Sequence, residues 1–249
     1  MRPPVFLADP AQLAADLIVL TGAEGRHAAT VRRLGPGEHV DVTDGSGTVA
    51  QCQVTRSRDG ELELAVLARR AEPPPVPRLT VLQALPKGDR GELATEIMTE
   101  VGVDVIVPWA AERCVVQWRG DRGDRALARW RSAGLAAAKQ ARRARFPEIT
   151  ALAGRDGAAR LVAAAGLAIL LDPAAEAPLA GLAAGPAGLR AGGIVLITGP
   201  EGGVSPSETS LFTGAGAVPA RLGPSVLRTS TAAAVALGAL GALTPRWRG

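Results

Sequence analysis

Along the first third of the chain, apolar and polar residues alternate in short runs. Glu38-His39-Val40-Asp41-Val42-Thr43, Thr48-Val49-Ala50-Gln51-Cys52-Gln53-Val54 and Glu61-Leu62-Glu63-Leu64-Ala65-Val66 each carry the two-residue period of a half-buried strand. Asp44-Gly45-Ser46-Gly47 and Asp59-Gly60 separate them with residues that favour turns. This rhythm predicts a small β-barrel or a curled antiparallel sheet. At Glu72-Pro73-Pro74-Pro75-Val76-Pro77 a stiff polyproline stretch interrupts the pattern and divides the chain into 1–72 and 73–249. Beyond it the strands become continuous apolar runs: Leu79–Leu85, Asp104–Pro108, Ala168–Leu171 and Gly193–Thr198. Helical segments lie between them, including Arg90–Val101, and an alanine-rich helix runs from Ala232 to Leu240. Strands alternating with helices predict an α/β domain with a mostly parallel sheet.

Composition narrows the classes without choosing a function. With 47% hydrophobic and 21% charged residues the 249-residue chain is globular. No apolar run approaches the ~18 residues of a membrane span, and Met1–Phe6 has no signal-peptide core, so a cytoplasmic protein is expected. Cys52 and Cys114 are far apart and form no CxxC pair, which argues against a disulfide framework or a metal site. Arginine outnumbers lysine 26 to 2, a bias that a GC-rich genome explains and that also suits phosphate binding. The charge is uneven. Residues 1–72 carry a net −2 and 73–249 a net +6, while Arg113–Arg145 alone carries +8. Within that window Arg122, Arg125 and Arg129 share a helical face, and the cluster as a whole reads as a footprint for a polyanion.

The chemistry concentrates in the last quarter. The strand ending at Ile197 runs into Thr198-Gly199-Pro200-Glu201-Gly202-Gly203, and Ser205-Pro206-Ser207-Glu208 follows as a capped helix start. A strand, a glycine loop and a helix place bare backbone at the carboxyl edge of a parallel sheet, where α/β folds bind ligands. The loop matches neither GxxxxGK[ST] nor GxGxxG, and its one charge, Glu201, repels a di- or triphosphate. A carboxylate is acceptable beside the sulfonium and ammonium groups of S-adenosylmethionine. The alternatives are a tight turn that holds nothing, or a nucleotide-dependent enzyme on the same loop. A second backbone corner, Leu222-Gly223-Pro224, precedes Ser225-Val226-Leu227-Arg228-Thr229-Ser230-Thr231, and the two corners can form one pocket if their strands are neighbours.

These motifs resemble the cofactor region of the SPOUT-class methyltransferases, and specifically the RsmE family of 16S ribosomal RNA uracil-N3 methyltransferases. The likeness rests on GPEGG at Gly199–Gly203, the S-x-x-E of Ser205–Glu208, and the Leu222–Ala232 segment. Pro86-Lys87-Gly88-Asp89-Arg90, Glu96, Glu100-Val101-Gly102-Val103 and Ile106-Val107-Pro108 resemble its K-G-D-R … E-L-G-V … I-x-P block. Glu112-Arg113-Cys114-Val115-Val116, Ala138–Arg143 with Pro147 and Ile149, and His27–Arg32 resemble three further family segments. Two positions depart: Lys139 and Ser230 stand where the family has acids.

The resemblance implies a small N-terminal PUA-like β-barrel over 1–72, binding RNA, and a C-terminal α/β trefoil-knot (SPOUT) methyltransferase domain over 73–249. It implies S-adenosylmethionine as cofactor, 16S rRNA or the 30S subunit as substrate, and a homodimer. The cofactor residues expected are Leu171, Thr198, Gly199, Pro200, Glu201, Gly202, Gly203, Leu222, Gly223, Val226, Leu227 and Thr229. Arg228 and Glu201 are the catalytic candidates, the first to stabilise a uracil anion, the second as base or cofactor anchor. RNA contacts are expected from Arg26, His27, Arg32, Arg33, Lys87, Arg90, Arg113, Arg142 and Arg143. With three Phe, four Trp and no Tyr a broad stacking platform is not expected. A non-catalytic ribosome binder, or a methyltransferase acting on another base, remains an alternative.

Overall fold

The structure, a computed structural model, describes residues 3–184 and 193–247. Two compact units make up the chain: Met1–Pro74 with Ala138–Phe146, and Pro75–Ala137 with Pro147–Gly249. The boundary falls inside the polyproline stretch. Sequence patterning gave no sign that 138–146 groups with the first unit.

The first unit is a five-stranded sheet in the order β1 (Val5–Leu7), β3 (His39–Thr43), β4 (Thr48–Arg58), β5 (Glu61–Ala71), β2 (Leu17–Leu20). β1 pairs parallel to β3 and every other pairing is antiparallel. Register shifts at Gln51/Cys52 and Val54/Arg56 mark irregularities in the long β4–β5 ribbon, of the kind that bend a sheet around its core. Phe6, Ile18, Leu20, Val40, Val42, Leu62 and Leu64 fill that core. Cys52 lies among them, and burial pushes its thiol up to about 11. Helix α1 (Pro10–Leu13) links β1 to β2, and α2 (Gly22–Arg26) follows β2 and passes into one π-turn at His27–Val31. Gly25 is obligatory in α2, since a Cβ there would sit 2.4 Å from the Gly60 carbonyl oxygen. The alternation of residues 38–66 is the three-strand ribbon that patterning predicts, whereas β1 and β2 are too short to show a period.

Lys139, which departs from the family pattern, has a local explanation. Its Nζ lies 2.5 Å from Glu24 Oε1, both side chains about a fifth exposed, and the other Glu24 oxygen accepts the Leu7 N–H at 3.1 Å. An acid at 139 would face Glu24 directly. We expect K139E to destabilise the protein by roughly 1–2 kcal/mol and the swap E24K/K139E to recover part of that loss, read by urea unfolding. Equal stability of wild type and K139E would show the pair to be idle. Ser230 is buried at the start of the last helix, and nothing in the structure explains why it replaces an acid.

The second unit is a six-stranded parallel sheet in the order β11-β9-β10-β6-β7-β8. Its strands are β6 (Arg78–Ala84), β7 (Val105–Trp109), β8 (Glu148–Ile149), β9 (Leu167–Leu171), β10 (Gly193–Thr198) and β11 (Ala217–Ala220). Helices α3 (Arg90–Val101), α4 (Gly120–Gln140), α5 (Arg155–Ala163), α6 (Leu179–Ala184), α7 (Pro206–Gly214) and α8 (Thr229–Leu243) are the described helices that alternate with them. Apolar clusters cover both faces, which is why the strands read as continuous hydrophobic runs rather than alternating ones. One cluster carries Met98, Trp130, Leu237 and Leu240, the other Trp109 packed edge-on to Phe212 at 5.3 Å. The chain lays β6, β7 and β8 outward in one direction, then returns to build β9, β10 and β11 on the other side of β6. The order of strands therefore reverses at β6–β10.

Candidate functional site

The carboxyl ends of β9, β10 and β11 are level, since Leu170 pairs with Ile197 on one side and with Pro219 on the other. The loops leaving these ends enclose a cavity of about 460 Å³. All the candidate cofactor residues line it except Gly202, and both catalytic candidates, Glu201 and Arg228, stand on its wall. The two glycine-bearing corners, about twenty residues apart along the chain, thus line one cavity.

The first corner is held from behind. Thr198 is buried, donates through Oγ1 to the Leu82 carbonyl at 3.2 Å, and accepts the Trp109 indole N–H at 3.0 Å. The Gly203 N–H closes a turn onto the Pro200 carbonyl at 2.8 Å, with Gly203 at φ +73°. Gly199 has no room for a side chain, because a Cβ would lie 2.8 Å from Val204 Cγ2. Gly202 turns away from the cavity: a Cβ there would meet Arg113 at 3.3 Å, and Arg113 donates to the Gly202 carbonyl at 3.0 Å. Arg113 therefore braces the loop.

Helix α7 anchors the loop's far end through the capping box visible in the sequence. The buried Glu208 carboxylate accepts the Ser205 N–H at 3.0 Å and the Glu112 N–H at 2.7 Å, while Ser205 Oγ accepts the Glu208 N–H. Hydrogen bonds from Ser205 and Ser207 hold the neighbouring Glu112 carboxyl below the usual carboxylate range.

The second corner is bare. From Leu222 to Leu227 the main chain makes no hydrogen bond among the described residues, so its N–H and C=O groups are open to a bound molecule. Gly223 lines the cavity, and a Cβ there would meet nothing within 4 Å, so a side chain can be accommodated without disturbing the protein. Filling that space is a clean test of what the cavity holds. G223V is expected to weaken S-adenosylmethionine binding by roughly ten- to a hundredfold, since overpacking costs about 1–3 kcal/mol. The unliganded protein should melt like wild type. Calorimetric titration decides, and an unchanged dissociation constant would remove the cofactor from this corner.

Electrostatically the wall carries two carboxylates, Asp172 and Glu201, against one guanidinium, Arg228. Glu201 Oε1 accepts the Lys87 N–H at 3.1 Å, and Asp172 Oδ1 accepts the Ala174 N–H at 2.8 Å. Sequence reasoning missed Asp172, Pro173 and Ser225. The first two follow β9 directly, so the carboxyl-edge rule that selects Thr198 also reaches them. Such a lining suits a cationic molecule with an apolar heterocycle, and it repels polyphosphates. Among the described residues no three His, Cys, Asp or Glu side chains gather as a metal site.

The candidate RNA residues fall into separate groups. Arg26, His27, Arg32 and Arg33 are exposed on the α2–π-turn segment, with Arg33 at φ +54°. Arg142 and Arg143, also in the first unit, are half-buried. In the second unit Lys87 is exposed and Arg90 half-buried at the start of α3.

Comparisons with known proteins agree with this geometry. A family model described as an RNA methyltransferase domain matches residues 72–241, and one described as an RNA methyltransferase PUA domain matches residues 20–67. The ribosomal RNA small subunit methyltransferase E of Mycobacterium bovis is 47% identical over 98% of this chain and 93% of its own. That of Bacillus subtilis is 26% identical over 92% and 91%. Among solved structures, a Legionella pneumophila methyltransferase with bound S-adenosylmethionine superposes with a TM-score of 0.86 at 28% identity, covering 98% of this chain and 99% of that one. A Neisseria gonorrhoeae ribosomal RNA small subunit methyltransferase E, also bound to S-adenosylmethionine, gives 0.81 at 25% identity over 98% of both chains.

Proposed function

This chain belongs to the RsmE family of ribosomal RNA small subunit methyltransferases, and we propose that it transfers the methyl group of S-adenosylmethionine to N3 of a uridine in 16S rRNA. The observation that carries the reading is the cavity at the ends of β9, β10 and β11, with its unpaired main chain at Leu222–Leu227 and its two carboxylates, Asp172 and Glu201. The free backbone groups suit the edge of adenine, and Asp172 and Glu201 suit the ammonium and sulfonium. When bound there, S-adenosylmethionine supplies an electrophilic methyl group.

Uracil N3 carries a proton and is a poor nucleophile until that proton leaves. It also lies on the pairing edge, so the target base must be unpaired or splayed out of a helix to reach the cavity. In-line placement behind the methyl–sulfur bond then supplies much of the acceleration. Arg228, exposed on the cavity wall and unpaired among the described residues, stabilises the anionic ring. Glu201 has one oxygen on the Lys87 N–H, which leaves the other for the cofactor or for the departing proton.

The functional unit we infer is a cytoplasmic homodimer acting on the 30S subunit or its RNA. Support for the dimer comes from exposed apolar side chains beside the cavity and on α8: Val226 at 79% exposure and Val235 at 48%. The first unit's exposed arginines supply RNA affinity. No described helix is long and apolar enough to cross a membrane. Incubating unmodified 30S particles with radiolabelled cofactor, followed by nucleoside analysis, should yield labelled 3-methyluridine. Label in another nucleoside, or none, would refute the assignment.

A further inference from the structure

The second unit has another concavity, of about 290 Å³, between the loop after β6, the start of α3 and the first turns of α4. Its floor is two tryptophans. Trp130 is 4% exposed and lies so close to α3 that a Cβ on Gly91 would come within 2.5 Å of its indole nitrogen. Trp118 packs edge-on to Trp130 with ring centroids 5.1 Å apart. This apolar base fixes the first turns of α4, and with them the arginine face legible in the sequence. Arg122, Arg125 and Arg129 all border the opening.

Three guanidinium groups at spacings of three and four on one helix face repel one another. One acid offsets them: Arg129 Nε donates to Glu92 Oε1 at 2.7 Å. Arg122 and Arg125 make no hydrogen bond or ion pair among the described residues, and neither Asp121 nor Asp124 borders the cleft or pairs with them. The cleft thus keeps two uncompensated positive charges over a rigid floor, the arrangement that an anion stabilises. Its volume is small for a whole nucleotide cofactor and ample for a phosphodiester with its sugar.

The neighbouring wall says which anion. Leu85, Pro86 and Gly88 border this cleft, and between them Lys87 donates its N–H to Glu201 on the wall of the cofactor cavity. One short loop therefore separates the two concavities. A strand that delivers a base to the cavity can lay a flanking phosphate across this loop and over the cleft. We propose that the cleft is a binding site for a backbone phosphodiester of the RNA strand beside the target nucleotide, held by Arg122 and Arg125. This rests on the function proposed above and adds to it a site outside the motifs that identify the family.

The test is filter binding of the full chain to an unmodified 16S rRNA transcript over a range of salt. R122Q/R125Q should bind about tenfold more weakly at low salt, and its log K against log salt should fall less steeply by about two units. Its dissociation constant for S-adenosylmethionine should not change, which shows that the second unit is folded. R160Q, which removes one exposed charge from α5, should move affinity and slope far less than R125Q does. Wild-type affinity and slope in the double variant would overturn the proposal. So would equal losses in R160Q and R125Q, or no salt-dependent binding by wild type. Failure of the methyltransferase reading is separate, since it appears as wild type transferring no methyl group to unmodified subunits.

Discussion

Replacing Arg228 by alanine is expected to lower kcat for methyl transfer by roughly 10²–10³-fold while leaving cofactor affinity within about threefold. The side chain is exposed on the cavity wall and has no partner among the described residues, so its removal orphans no protein group. Its main chain does separate work: the Arg228 carbonyl accepts the Thr231 and Ala232 N–H groups at 2.9 and 3.0 Å and starts α8. That contribution survives substitution. On the proposed mechanism the loss falls in the chemical step, where Arg228 offers a fixed positive charge to a uracil anion. R228K should recover only part of the rate, because an ammonium lacks the planar fork of donors. Single-turnover kinetics at saturating cofactor, paired with calorimetry, separate the two effects. An unchanged rate, or a matching loss of cofactor affinity, would move Arg228 out of the catalytic role.

The largest effect on stability is expected at Arg246. Its guanidinium, 6% exposed, donates to the carbonyls of Pro77 at 2.7 Å and Gly102 at 2.5 Å and to both oxygens of Asp104 at 2.6 and 3.2 Å. Asp104 also accepts the Leu79 N–H at 2.7 Å. One side chain thus ties together the start of β6, the left-handed end of α3 at Gly102 and the residue before β7. R246A leaves a largely buried carboxylate, 12% exposed, short of its partner and two carbonyls unpaired, and should cost about 2–4 kcal/mol. R246K keeps the charge but cannot span all four acceptors, so less than half of the loss should return. Urea unfolding gives the measurement, and a wild-type midpoint for R246A would show that the tie carries no net stability.

Much of this architecture is legible in the sequence because it depends on local rules. The alternating runs of 38–66, the continuous apolar runs of β6, β7, β9 and β10, and the Ser205–Glu208 cap each follow from neighbours within a few residues. The GPEGG loop falls at a strand end, and the sheet-edge rule places its backbone correctly. What escapes depends on partners distant in sequence. β11 is four residues long and carries Pro219, so it becomes a strand only because β9 offers an edge. Residues 138–146 begin as the last turn of α4, but their grouping with the first unit depends on distant partners: Thr43 donates to the Ala144 carbonyl and Arg145 to that of Glu72. Gly202 shares a motif with cavity residues, but the turn from Pro200 to Gly203 points it at Arg113. Arg246 reads as one more surface arginine, since its carboxylate partner lies 142 positions away.

The strand order has a kinetic side. β10, which occupies the middle of the parallel sheet, leaves the ribosome after both strands that flank it, β6 and β9. Those two have no pairing with each other, so the slot between them closes only when the late segment arrives to bridge them. Nearly every contact of that strand spans a long stretch of chain, and parallel pairing of this kind is slow to nucleate. During synthesis β6 and β9 wait with the N–H and C=O groups of one edge unpaired, a state prone to mispairing between nascent chains.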